Sequence, residues 1–247
     1  MTLLGVAFIG LGIGFLGGLF GKGGSAVATP LLHLIGVPAI VAIAAPLPAT
    51  IPSTLVAGRV YRRERLVDAR VAAWCIVSGL PAAVLGALST KWIDGALLVR
   101  ATDVVLVGLG VRFVTRGHEA SASAVPPRPA PVWLLLALGM GVGVVSGLLA
   151  NSGGFLLAPL FVAVLAMPIH SAFATSLAVS AVLAIPGTIV HAALGHLDLR
   201  VVAVFAVTSV PLAAVGARVA VRSDAATLER VYGAVIASLG TALLAVG

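Results

Sequence analysis

Residues 12–24 read GIGFLGGLFGKGG, and residues 141–153 read GVGVVSGLLANSG. The two stretches superpose at an offset of 129, pairing Gly12 with Gly141, Gly14 with Gly143, Gly18 with Gly147 and Gly24 with Gly153, and then Pro30 with Pro159. Further on the offset is 130. It pairs Pro38 with Pro168, Leu47 with Leu177, Asp68 with Asp198, Arg70 with Arg200, Pro81 with Pro211, Gly86 with Gly216, Arg100 with Arg230 and Gly110 with Gly240. One residue of slippage over such a distance marks a duplicated unit. The chain divides into a first repeat at 1–115, a linker at 116–130 and a second repeat at 131–247. Two-fold internal repeats in an apolar chain are a recurrent feature of transporters.

Hydrophobic residues make up 60% of the chain and charged residues 9%, with a mean hydropathy of +1.19. A soluble domain carries about 25% charged residues, so this chain cannot coat a soluble globule. Apolar runs of about 18 residues recur, the length that crosses the hydrocarbon core. The alternating segments of a β-barrel are missing. The reading is an all-α polytopic membrane protein embedded in a lipid bilayer. The net charge of +7 comes mostly from loop arginines, which orient membrane proteins, and gives no reason to expect a nucleic-acid partner. Cys75, the single cysteine, excludes an intrachain disulfide. The first ten residues lack the basic region of a secretory signal and read as the start of a membrane segment.

In the first repeat, Leu3–Phe20 is apolar, Gly21-Lys22-Gly23-Gly24 breaks it, and the short stretch Ser25–Gly36 follows. Pro38–Gly58 comes next, then an arginine-rich loop from Arg59 to Arg70, then Val71–Ser89 and Leu98–Val114. The second repeat copies this order: Pro131–Ala150, a break at Asn151-Ser152-Gly153-Gly154, a short Phe155–Leu165, then Met167–Val190, Val201–Val219 and Ala226–Val246. The expectation is eight to ten membrane segments. A helix as short as those after the breaks covers about half the core. Each is either part of a bent crossing, which makes the halves parallel, or one arm of a hairpin, which inverts them. With hairpins, 11 loop arginines and lysines fall on one side and 3 on the other. With bent crossings the split is 9 against 5. The positive-inside rule favours the lopsided count, hence two inverted repeats, a cytoplasmic 59–70 loop and linker, and both termini outside.

Irregular backbone at membrane depth must face protein or a watery cavity. The breaks therefore offer backbone N–H groups at two helix N-termini, which favour anions and are expected to meet near the midplane. Lys22 stands where the other copy has Asn151. A lysine at the centre of a membrane segment costs about 2.5–3.5 kcal/mol, and a watery cavity holding an anion would relieve that cost. A surface turn at Lys22 is the competing reading. Of the eight acidic residues only Asp103 lies within a segment, which disfavours a cation substrate and a carboxylate proton relay. A second polar cluster holds Pro46, Pro48, Thr50, Pro52, Ser53 and Thr54 in the first copy, and Thr175, Ser176, Ser180, Pro186 and Thr188 in the second. The candidate anion-binding set is Lys22, Gly23, Gly24, Ser25, Asn151, Ser152, Gly153, Gly154, Thr175 and Ser176. His191 and His196 flank a loop, and nothing has the spacing of a metal site. No nucleotide-binding loop occurs, no cofactor is expected, and a homodimer is one assembly open to the chain.

The glycine-broken first helix with Pro30, its echo at Asn151-Ser152-Gly153-Gly154 with Pro159, the string Ala174-Thr175-Ser176-Leu177 and the His191…Gly195…Asp198 corner resemble the sulfite exporter TauE/SafE family. The resemblance spans both halves. It implies a multi-pass protein of the bacterial inner membrane with about eight crossings, exporting sulfite, sulfoacetate or other organosulfur anions, and not an enzyme. The departure from the family pattern is Ala45-Pro46-Leu47, where a Thr/Ser pair would be expected. The rival readings are an anion channel, a non-transporting membrane subunit and, more remotely, an intramembrane hydrolase using Ser152.

Overall fold

The computed structural model describes residues 3–21, 25–93, 97, 104, 130–149 and 153–246. Lys22, Gly23, Gly24, Asn151, Ser152, Asp103 and nearly all of the segment at 98–114 and of the linker lie outside them. The described residues form helices and turns, with no strand among them. In the first half the helices are α1 (Leu3–Leu19), α2 (Ser25–Leu34), α3 (Ala39–Ala44), α4 (Pro46–Arg63) and α5 (Ala69–Ser89). In the second they are α6 (Val132–Leu148), α7 (Gly154–Leu165), α8 (Ile169–Ala193), α9 (Leu199–Arg222) and α10 (Ala225–Val246). Four stretches are long and apolar enough to cross a membrane unaided: Ala39–Arg63, Ala69–Ser89, Ile169–Ala193 and Leu199–Arg222. Leu3–Leu19, Val132–Leu148 and Gly154–Leu165 are shorter apolar helices. Leu4, Phe8, Val77, Leu85, Trp133, Ile189 and Val207 face outward, and Thr175, Ser176, Ser180 and Ser209 are buried. Apolar residues outside and hydroxyls inside is the distribution a lipid solvent demands.

The same local chemistry shapes both halves. Pro38 and Pro168 open α3 and α8 with nearly identical extended backbone, φ −53° and −54°. Asp68 accepts from the Arg70 and Val71 N–H groups at the start of α5, and Asp198 accepts from those of Arg200 and Val201 at the start of α9. These are N-caps, each supplying acceptors for orphan donors of the first turn. At the far ends of α4 and α8, Arg65 and Gly195 take left-handed φ of 56° and 72°. Leu66 and His196 then return N–H groups to the Tyr61 and His191 carbonyls, a Schellman closure in both copies. The halves part at Pro46. It has no N–H to continue the helix, so α3 and α4 are separate, whereas α8, with Ser176 at the equivalent position, is continuous. One boundary differs from the sequence reading. The arginine-rich stretch is helical through Arg63, and only the turn before Asp68 is loop. Long arginine stems can reach water from a helix end, and their charge suits a helix C-terminus.

Packing is crosswise. α1 lies on α9 and α6 lies on α5, and these are the two most extensive helix pairs. A methyl group on Gly14 or Gly18 would strike the backbone of Ser209 or Ala213, and one on Gly143 or Gly147 that of Gly79 or Ala83. Close approach of small residues is how helices associate where lipid gives no hydrophobic drive. Because these contacts advance together, α1 runs with α9 and α6 with α5. Tyr61 Oη lies 3.1 Å from the Gly18 and Leu19 carbonyls, so α4 also runs with α1. α8 runs against α4: Leu47 packs at Gly187, while Tyr61 clusters with Ile169 and Phe173. The ends of α1, α4 and α9 and the starts of α8 and α10 therefore share one face of the bundle, the end near Arg62, Arg63, Arg65, Arg70, Arg222 and Arg230. The starts of α1 and α9 and the residues around Val37 share the other.

Candidate functional site

Five of the ten expected site residues are described: Ser25, Gly153, Gly154, Thr175 and Ser176. Gly21, the described residue of the first break, has φ +64°, and a methyl there would come within 2.5 Å of the Phe173 Cα. Ser176 Oγ donates toward the Gly21 carbonyl at 2.6 Å, with the Phe173 carbonyl at 3.0 Å. Thr175 Oγ1 accepts the Asp68 backbone N–H at 3.0 Å. Both hydroxyls are fully buried and engaged within the protein. They tie the first break and the α4–α5 turn to α8. In the second half Gly153 caps α7 with φ 73°, and Gly154 begins that helix, buried. Ser25 begins α2.

The described ends of the two breaks are staggered. Gly21 packs at Phe173, near the start of α8, while Leu149 clusters with Ala184, well along it. At 1.5 Å per residue the two neighbours on α8 are roughly 16 Å apart. The described ends of the two breaks therefore lie at different levels along α8.

Mid-depth is taken by a small pocket between α1, α4, α8 and α9. Its walls are Ile13, Gly14, Gly17, Thr50, Ser53, Thr54, Leu177, Phe205, Ser209 and Ala213. Ser53 and Ser209 face each other with their Oγ atoms 3.5 Å apart. The other hydroxyls nearby are spent on their own helices. Thr50 donates to the Pro46 carbonyl at 3.0 Å, Thr54 to that of Thr50 at 2.7 Å, and Thr208 to that of Val204 at 2.8 Å. This is the usual way a helix satisfies such groups in apolar surroundings. No charged side chain lines the pocket among the described residues. Thr50, Ser53 and Thr54 belong to the polar cluster visible in the sequence, but Ser209 was missed. Its signal was available: Thr208-Ser209 is a polar pair in the centre of an apolar segment, two residues before Pro211.

The equivalent place in the other half is filled. Offset by 130, Ser53 becomes Leu183 and Ser209 becomes Gly79. A methyl on Gly79 would meet the Leu183 Cδ2 at 3.1 Å, so leucine occupies the space that two hydroxyls border in the first half. Ser180, equivalent to Thr50, is fully buried, and its Oγ has no hydrogen-bond partner among the described residues.

At the opposite end of α8 from Ser176, His191 Nδ1 lies 2.9 Å from His196 Nδ1. One ring must donate and the other accept. Burial pushes the His196 pKa below its ordinary value, which favours a neutral imidazole there. No cluster of three or more His, Cys, Asp or Glu side chains that could hold a metal occurs among the described residues.

Nothing among curated proteins matches this chain. Nothing among solved structures matches it either. A family model described as "Sulfite exporter TauE/SafE" matches residues 6–243, both halves and the join between them. Apolar helices long enough to span a bilayer, outward-facing hydrophobic side chains and a buried hydroxyl pocket agree with what that family implies, a multi-pass membrane transporter of sulfur anions. The chain belongs to the sulfite exporter TauE/SafE family.

Proposed function

We propose that this protein is a secondary transporter that exports small sulfur-containing anions, such as sulfite, sulfoacetate or other organosulfonates, by alternating access. The observation that carries the sulfur-anion class is the family match over residues 6–243. The helix directions support the mechanism. α1 and α4 of the first half run opposite to their equivalents α6 and α8, and α5 runs opposite to α9, as an inverted repeat requires. One repeat or helix pair rocking against the other about a central site would expose it to each side in turn. The arginine-rich end faces the cytoplasm by the positive-inside rule, which leaves both termini outside a bacterial inner membrane. In this reading Lys22 supplies positive charge, and each break offers its own anion contacts, the Gly23, Gly24 and Ser25 amides at the first and the Asn151 side chain with the Ser152, Gly153 and Gly154 amides at the second, while Thr175 and Ser176 hold the surrounding backbone.

The test is uptake into liposomes holding the purified chain, with sulfite, sulfoacetate, taurine, sulfate and a cation control. Saturable flux of a sulfur anion with counterflow is the expected result. Non-saturating flux without counterflow would make the protein a channel. Absence of any flux would make it a non-transporting subunit. Lys22→Ala is expected to lower anion flux with membrane insertion intact, and unchanged flux would place Lys22 outside the site.

A further inference from the structure

We infer that the bodies that rock in transport are two crossed units rather than the two repeats: α1 with α4 and α9, and α6 with α8 and α5, hinged at the α4–α5 and α8–α9 corners. This rests on the transporter reading and names its moving parts.

Each unit is closed on itself by backbone contact. In the first, a methyl on Gly14, Gly18 or Gly216 would strike backbone across the α1–α9 seam. Ser53 of α4 meets Ser209 of α9, and the Tyr61 hydroxyl of α4 holds the end of α1. In the second, methyls on Gly79, Gly86, Gly143 and Gly147 would strike backbone across the α5–α6 seam, and Leu183 of α8 packs on Gly79. Backbones that near leave no room for one helix to slide on the other. Contact between the units has another character. A methyl on Gly187 of α8 would meet the tip of Leu47 at 3.3 Å, a flexible side chain that can turn away. Two polar ties join α8 to the other unit, both at the arginine-rich end. Ser176 donates to the Gly21 carbonyl at 2.6 Å, and His170 Nε2 lies 3.1 Å from the Ala220 and Ser223 carbonyls at the end of α9. They form a latch, and its release parts the units on the proposed cytoplasmic side.

The path of the chain supplies the hinges. It leaves the first unit through the turn between α4 and α5, and it returns through the turn between α8 and α9. These are the matched corners, each with one residue at left-handed φ, Arg65 and Gly195, and each closed by an aspartate cap. Short turns at helix ends are where a rotation is absorbed. One corner lies at each end of the bundle. α2 clusters with α1 and α9, and α7 with α6 and α8, so each unit carries the helix that follows one glycine break.

The test uses the full chain in liposomes, with sulfite as the probe and mercuric ion as a bridge between paired thiols. Gly10→Cys with Thr208→Cys joins α1 to α9 inside one unit, where a Cβ on Gly10 comes within 3.3 Å of the Thr208 Cβ. Leu47→Cys with Gly187→Cys joins α4 to α8 across the units, and it removes the leucine tip that a side chain at 187 would meet. Bridging the first pair is expected to leave saturable sulfite flux intact. Bridging the second is expected to abolish it, with recovery when excess free thiol strips the mercury. Lost flux with the first pair bridged, or full flux with the second, would overturn the inference and leave the transporter reading standing. Maleimide spin labels on outward-facing positions give a second readout that leaves the core untouched. Labels at Phe8→Cys and Val207→Cys, in one unit, should keep their distance when sulfite is added, while labels at Val77→Cys and Val207→Cys, in different units, should change theirs. Equal shifts in the two pairs would also overturn the inference. Wild-type protein that moves none of the anions would overturn the transporter reading, and this inference with it.

Discussion

Tyr61 and His191 occupy equivalent turns, two residues from the ends of α4 and α8, and do different work there. Tyr61 is fully buried, with its hydroxyl 3.1 Å from the Gly18 and Leu19 carbonyls at the end of α1. His191 is also fully buried, but it bonds sideways to His196, and its Nε2 has no partner among the described residues. Tyr61→Phe should therefore destabilise the protein by about 1 kcal/mol, the worth of one buried hydrogen bond. Thermal unfolding in detergent would show it, and an unchanged midpoint would mean that the hydroxyl does not hold the end of α1.

The histidine pair should make the α8–α9 corner sensitive to acid. The bond between two Nδ1 atoms needs one ring able to accept, so it is lost when both rings are protonated. Burial holds the His196 pKa below its ordinary value of about 6.5. The folded state therefore binds its proton less readily than the unfolded chain, and stability at this corner falls as pH drops below about 6.5. Melting curves from pH 7.5 to 5 should show the loss, and His196→Ala should flatten the slope. The same slope in that variant would assign the effect elsewhere.

Ser176→Ala removes the hydroxyl that reaches the Gly21 carbonyl at 2.6 Å. An unpaired buried carbonyl costs about 1–3 kcal/mol. Hydrogen exchange should rise at the end of α1 in this variant while α9 stays protected. Equal protection in both proteins would show that Ser176 does not anchor the break.

Neighbouring glycines on α1, and likewise on α6, should respond oppositely to substitution. Gly14 and Gly143 lie against backbone of the partner helix, whereas Gly12 and Gly141 have open space around them. Gly14→Leu and Gly143→Leu should cut folded yield sharply, since overpacking commonly costs about 1–3 kcal/mol and here there is backbone in the way. Gly12→Leu and Gly141→Leu should leave it near wild type, as size-exclusion recovery after detergent extraction would show.

The proposed orientation is open to a labelling test. A cysteine at position 195, in the α8–α9 turn, should react with a membrane-impermeant maleimide from outside intact cells. The native Cys75 is buried and should not compete. Reaction only after the cells are opened would place the 194–198 turn in the cytoplasm.

Much of this fold was legible from the chain because lipid leaves few options. Composition announced apolar helices long enough to cross a membrane. The paired caps Asp68 and Asp198 and the paired entries Pro38 and Pro168 confirm that matching residues do matching local work. The candidate site was less legible. Thr175 and Ser176 read as ligands because they are hydroxyls beside a break, yet both are engaged by backbone groups of distant segments. What separates them from Ser53 and Ser209 is which carbonyls and N–H groups lie within reach in three dimensions. Spacing along one helix cannot report that. The stagger of the breaks was hidden for the same reason, since it depends on where α1 and α6 end against α8.

The crosswise seams also constrain how the chain can be made. Gly14 has no mate until Ser209 exists, because α1 is completed by the next-to-last described helix rather than by a neighbour. During synthesis the first half must wait in the bilayer with its glycine face open to lipid, and closure of the α1–α9 seam comes near the end. A cell that makes the first half alone would hold an unfinished surface. A cell that makes both halves as separate chains would have every contact needed to close it.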